Sequence, residues 1–104
     1  MRTIEINGVV YPFKYGYGAL MMAEELLGQP WGTVQNMRSN LVLFFACLFN
    51  ADADCPITFE GLIDACDADN TLYARMGEEV AWQIGRWGKP SESTEDPDEG
   101  KKKD

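Results

Sequence analysis

Apolar and polar residues alternate along Thr3-Ile-Glu-Ile6, and the pattern resumes along Val9-Val-Tyr-Pro-Phe-Lys14 after Asn7-Gly8. Alternation with period two marks a half-buried strand, and Asn-Gly between two such runs favours a two-residue type I′ turn. Both central residues of that turn take positive φ, which Asn and Gly tolerate. The short loop sets the register: Ile6 opposite Val9, Ile4 opposite Tyr11 and Arg2 opposite Phe13. One face of the ribbon is therefore apolar. An isolated hairpin is marginally stable, so this one is expected to lie against the helices that come after it.

The period then changes to that of helices. Gly16 and Gly18 supply a corner, and a first helix is expected over Tyr17–Leu27, ended by Gly28 and Pro30. Leu20, Ala23 and Leu27 form its stripe, widened by Met21 and Met22, with Glu24 and Glu25 facing away. A second helix is expected from Thr33 as N-cap to about Asn50. Its first half is polar, and its second half, Leu41–Phe49, is apolar on every side, which requires burial by neighbours or by another chain. Thr58 is placed to cap a third helix, with Ile57 and Leu62 as the two halves of a hydrophobic staple and Phe59, Leu62, Ile63 and Cys66 as its stripe. Asn70 or Thr71 caps a fourth, in which Tyr73, Met76, Val80, Ile84 and Trp87 share one face. From Gly88 onward large apolar residues cease, so 88–104 reads as a disordered tail. The expected fold is mainly α: about four helices packed with an N-terminal β-hairpin over residues 1–87.

Charge narrows the partners. The chain carries 9 basic and 17 acidic residues, a net charge of −8. With no basic face, nucleic acid and anionic membrane are not expected as partners. Cys47, Cys55 and Cys66 are odd in number and form no Cys-x-x-Cys pair, which fits reduced thiols in a cytoplasm. The chain opens on a strand, so no signal peptide is expected. Its longest apolar run, Leu41–Phe49, is far short of the roughly 20 residues a bilayer requires.

Catalytic chemistry finds little to build on. There is no histidine, which removes Ser-His and Cys-His nucleophiles and histidine-ligated zinc. The pairs Glu24/Glu25 and Glu78/Glu79 sit on helices, where successive side chains point about 100° apart, so they read as solvated faces. Asp67, Asp69, Thr71 and Glu78 imitate the spacing of a calcium loop, but the sixth position, which needs glycine for the turn, is Leu72. Gly16-Tyr-Gly18 lacks the third glycine of a dinucleotide fingerprint. Neither an enzyme nor a cofactor is expected. Two features suit partner binding. Phe44, Phe45, Leu48 and Phe49 either fill an enclosed core or line a groove for another chain's helix. Trp82 points away from the fourth helix's stripe, either as an outward anchor residue or as a cover for the hairpin or a loop.

The order of parts resembles a known family. The hairpin I-x-I-N-G-x-x-Y-x-F, the aromatic-glycine corner leading into Glu-Glu-Leu-Leu-Gly, the apolar central helix, the Ile-Thr-Phe-Glu helix start and the last helix look like the tail assembly chaperones of long-tailed bacteriophages and prophages. The likeness spans about residues 3–87 and carries over no functional residue. It implies a non-enzymatic protein of the host bacterial cytoplasm. Such a protein binds the tape measure protein, keeps it soluble until the tail tube protein polymerises around it, and leaves before the tail matures. Self-association is compatible with this role. An alternative role is a small structural or head–tail adaptor protein retained in the phage particle.

The resemblance also implies a longer product made by ribosomal frameshifting. Lysine codons in Gly100–Lys103 can supply an A-rich slippery tract. The expected outcome is a slippery heptamer over these codons with an overlapping downstream frame. Nucleotide sequence lacking both removes the idea.

Overall fold

A computed structural model describes residues 2–33 and 35–86. Trp87, the 88–104 tail and the Gly100–Lys103 tract lie outside the described residues. The elements run β1 (Thr3–Ile6), β2 (Val9–Pro12), α1 (Tyr17–Leu27), α2 (Met37–Ala51), α3 (Phe59–Ala68) and α4 (Leu72–Arg86). The described residues are thus mainly helical, with four helices and one antiparallel hairpin.

The hairpin has the expected register, Ile6 opposite Val9 and Ile4 opposite Tyr11, and the Phe13 N–H donates to the Arg2 carbonyl at 3.0 Å. Asn7 (φ 54°) and Gly8 (φ 80°) take the positive angles of the type I′ turn. Ile4, Ile6 and Phe13 enter the core, while Val9 stays exposed. The hydrogen-bonded pairs at Ile6, Ile4 and Arg2 leave the polar groups of Thr3 and Glu5 pointing outward from β1. There Arg75 Nη1 donates to the Glu5 carbonyl at 3.1 Å. On the opposite edge Pro12 has no N–H to offer. Both edges are thereby blunted against pairing with another strand.

α2 is the centre. Val42, Leu43, Phe44, Ala46, Cys47 and Leu48 are buried, and the remaining apolar residues of the run, Leu41, Phe45 and Phe49, pack half-buried against the core. α1 packs chiefly on α2 through Ala19 and Ala23, both fully buried, while Met21 is exposed. Gly18 touches the side chain of Asn50, whose Nδ2 donates to the Lys14 carbonyl at 3.1 Å. This contact sets the start of α1 beside the end of α2. The left-handed Gly28 (φ 74°) ends α1. Thr58 caps α3 as expected, its Oγ1 accepting from Gly61 N–H at 2.9 Å.

Several boundaries differ from the sequence reading. Thr33 does not cap α2; its N–H donates to the Pro30 carbonyl, in a turn whose third residue, Gly32, has φ 91°. The cap is Asn36, in a reciprocal box with Ser39: Ser39 N–H donates to Asn36 Oδ1 (2.8 Å) and Asn36 N–H donates to Ser39 Oγ (2.9 Å). At the α3–α4 corner, Asp69 Oδ1 accepts from both the N–H and the hydroxyl of Thr71, and Asp69 Oδ2 takes Arg75 Nη2 at 2.8 Å. Thr71 precedes α4 and its carbonyl accepts from Arg75 N–H at 3.0 Å, while its hydroxyl donates to Asp69 Oδ1 and accepts from Arg75 Nε at 3.2 Å. Leu72, the sixth position of the imagined calcium loop, is the buried first residue of α4. Ile84 is 48% exposed, so the α4 stripe does not stay buried to its end.

The thiols are free; Cys47 and Cys55 are buried and Cys66 is half-buried. Burial pushes the Cys47 thiol up to about 12, which keeps it protonated and unreactive in the folded state.

The corrected cap gives a stability test. Asn36→Ala is expected to cost about 1 kcal/mol, whereas Thr33→Ala stays within about 0.5 kcal/mol. Urea unfolding followed by circular dichroism reads both. Equal losses would return the cap to Thr33.

Candidate functional site

α4 has two working sides, and they differ in chemistry. Arg75, Glu79, Trp82, Gln83 and Arg86 recur along one side, where the hairpin docks. Arg2 Nε donates to Glu79 Oε2 at 2.8 Å and Arg2 Nη2 to Glu79 Oε1 at 2.9 Å. Gln83 holds the segment just after β2: its Nε2 donates to the Phe13 carbonyl (2.9 Å) and to Glu79 Oε2 (2.9 Å), and its Oε1 accepts from Tyr15 N–H (2.8 Å). The Arg2 guanidinium holds the Glu79 carboxyl below its ordinary value of 4.5, against the opposing effect of burial and with help from Gln83.

The other side of α4 is uncharged and small. Ala74, Gly77 and Ala81, with Tyr73, Val80 and Ile84, form one wall of a cleft of about 430 Å³. Leu43, Phe44 and Asn40 of α2 form the facing wall, and Tyr15, Trp31 and Gln35 line it from the connecting segments. Phe44 meets Tyr73 edge-on, with ring centroids 5.5 Å apart, and Asn40 Nδ2 donates to the Tyr73 hydroxyl at 3.0 Å. Trp31 is held by its backbone, whose N–H donates to Glu24 Oε2 at 2.8 Å. The cleft is an apolar slot with a polar patch at Asn40 and Gln35. It has no side-chain cation among its lining residues.

The five residues singled out from sequence do not converge. Leu48 is 0% exposed, enclosed in the chain's own core, and the expectation that it lines a groove is withdrawn. Phe44 is 5% exposed and contributes only to the wall of the cleft. Phe45 and Phe49 pack on each other at 4.8 Å, and Phe45 packs edge-on against Phe59 of α3 at 5.7 Å. Trp82 is 42% exposed, as an outward residue should be, yet it also meets the hairpin: Arg2 lies 3.8 Å and Arg86 4.6 Å from its ring centroid. The glutamate pairs are not simply solvated faces either, since Glu24 and Glu79 each accept specific donors. Sequence periodicity does not single out Ile84, Trp31 and the small residues of α4 as a site. Their signal was a helix stripe flanked by Ala74, Gly77 and Ala81, too small to fill the space beside it.

Among the described residues no group of three or more His, Cys, Asp or Glu is placed to hold a metal ion, and no helix is long and apolar enough to cross a membrane.

The Arg2–Glu79 pair predicts a pH effect. Because the folded-state value of Glu79 lies below 4.5, its stabilisation is complete above 4.5 and is lost as pH falls through the lower, folded-state value. Glu79→Gln is expected to flatten this acid limb in melts taken below pH 4.5 and to leave the helical dichroism at neutral pH unchanged. An acid limb identical to wild type would place the effect on other carboxylates.

Comparison with protein-family models, with curated proteins and with solved structures gives no match.

Proposed function

We propose that this chain is a tail assembly chaperone of a long-tailed phage or prophage. It binds the tape measure protein in the host bacterial cytoplasm and keeps it soluble, without catalysis, until the tail tube protein assembles around it. The observation that carries this reading is the apolar cleft between α2 and α4, held open in a small acidic domain. Trp31 and Ile84 at the cleft give a client's apolar stripe a place to leave water. The net charge of −8 keeps a coated complex from clumping. The order of hairpin, glycine corner and four helices agrees with the architecture that the family resemblance implies.

Co-expression with the tape measure protein of the same genome tests the reading. The expected result is a several-fold rise in soluble tape measure protein, co-eluting with this chain, and absence of this chain from purified virions. No gain in solubility would overturn the proposal. Retention in finished virions would instead make the chain an adaptor.

A further inference from the structure

We infer that the segment Phe13–Tyr15 is a strap that ties the end of α2 to the end of α4 and thereby sets the width of the cleft between them. The segment is fastened to both helices. Toward α2, Lys14 N–H donates to the Cys47 carbonyl at 3.0 Å, and Asn50 Nδ2 donates to the Lys14 carbonyl at 3.1 Å. Toward α4, Gln83 takes the residues on either side of Lys14: its Nε2 donates to the Phe13 carbonyl at 2.9 Å, and its Oε1 accepts from Tyr15 N–H at 2.8 Å. Phe13, Lys14 and Tyr15 thus bind α4, α2 and α4 in turn, and the fully buried Phe13 ring anchors them in the core. The Gln83 amide works in one orientation. Its Nε2 serves the Phe13 carbonyl and Glu79 Oε2 while its Oε1 faces a donor; turned over, its oxygen would face two acceptors and its nitrogen a donor.

Along the cleft, α2 and α4 meet in step. Asn40 Nδ2 donates to the Tyr73 hydroxyl at 3.0 Å, and Phe44 meets Tyr73 edge-on. Further along both helices, a Cβ built on Gly77 would lie 3.8 Å from Phe44 Cζ. Cys47, Asn50 and Gln83 come later still on their helices, so the strap fastens the opposite end of this approach from Asn40 and Tyr73. Between the two fastenings α4 presents Ala74, Gly77 and Ala81 to the cleft, and such short side chains make few contacts with which to grip α2. Tyr15 is both the last residue of the strap and part of the cleft lining. Releasing the strap therefore lets the far end of α4 swing from a hinge at Asn40 and Tyr73, and the slot widens. This coupling concerns the cleft and not what enters it, so it does not rest on the function proposed above.

Proton NMR of the full chain tests the strap through two close approaches. One is Phe44 Hζ to Gly77 Hα, across the cleft; the other is the Phe44 ring to the Tyr73 ring, at the hinge. Gln83→Ala frees the strap from α4 and is expected to lose the first cross-peak, keep the second and shift the Ala81 amide. Asn50→Ala loosens the strap from the α2 side and is expected to lose the same cross-peak; it carries the test if Gln83→Ala does not fold. Arg2→Ala removes the pair with Glu79 but leaves every strap bond in place, and is expected to keep both cross-peaks. A Phe44–Gly77 cross-peak that survives in either folded strap variant overturns the inference. Loss of the Phe44–Tyr73 cross-peak as well overturns it, because α4 has then come away rather than hinged. Equal loss in Arg2→Ala also overturns it, by giving control of the width to the hairpin as a whole.

Discussion

Everything in this domain is arranged around the need to cover α2. A helix that is apolar on all sides along Leu41–Phe49 cannot rest on one neighbour, so it draws in α1, α3, α4 and the hairpin together. The covering is uneven. α1 approaches closely because Ala19 and Ala23 present almost no side chain, and α3 supplies Phe59 against Phe45. α4 meets α2 through Tyr73, which packs on Phe44 and accepts from Asn40, but turns Ala74, Gly77 and Ala81 toward the remaining gap. The cleft is therefore the part of the α2 surface that the described residues leave incompletely covered.

α4 separates two chemistries by face. Its hairpin side gathers arginine, glutamate, glutamine and tryptophan, which suits a rigid attachment built on directional bonds. Its cleft side carries no charge, which suits contact that is non-directional and reversible. Arg2, Arg75 and Arg86 are engaged on the hairpin side of α4, and no charged residue lines the cleft.

What could be read from the sequence was whatever is decided locally. Asn7-Gly8 fixes its turn and register through two residues, Gly28 ends α1 through its own φ, and Thr58 reaches the N–H of Gly61 three positions on. Thr33 and Asn36 are both residue types that cap helices, Asn the more strongly. The reciprocal Ser39 favours Asn36, and Gly32 turns Thr33 away. The site was less legible, because periodicity says which residues share a face and not whether anything lies opposite. Ile84 follows Val80 on the α4 stripe, yet only Val80 is buried, since burial depends on where α2 and Trp31 stand. Leu48 and Phe45 look alike in a run of apolar residues, and only packing distinguishes core from flank.

The tie between Gln83 and the backbone at Phe13 and Tyr15 also bears on how the chain is made. The hairpin leaves the ribosome before α4, and the groups that hold it and the segment after it, Glu79, Gln83 and Arg75, lie 68 to 77 residues further along. A two-stranded ribbon cannot persist alone during that interval, and closing so long a loop delays its docking. The hairpin is thus completed by α4, and a nascent chain that stops short of α4 has its best-encoded piece of structure without a surface to rest on.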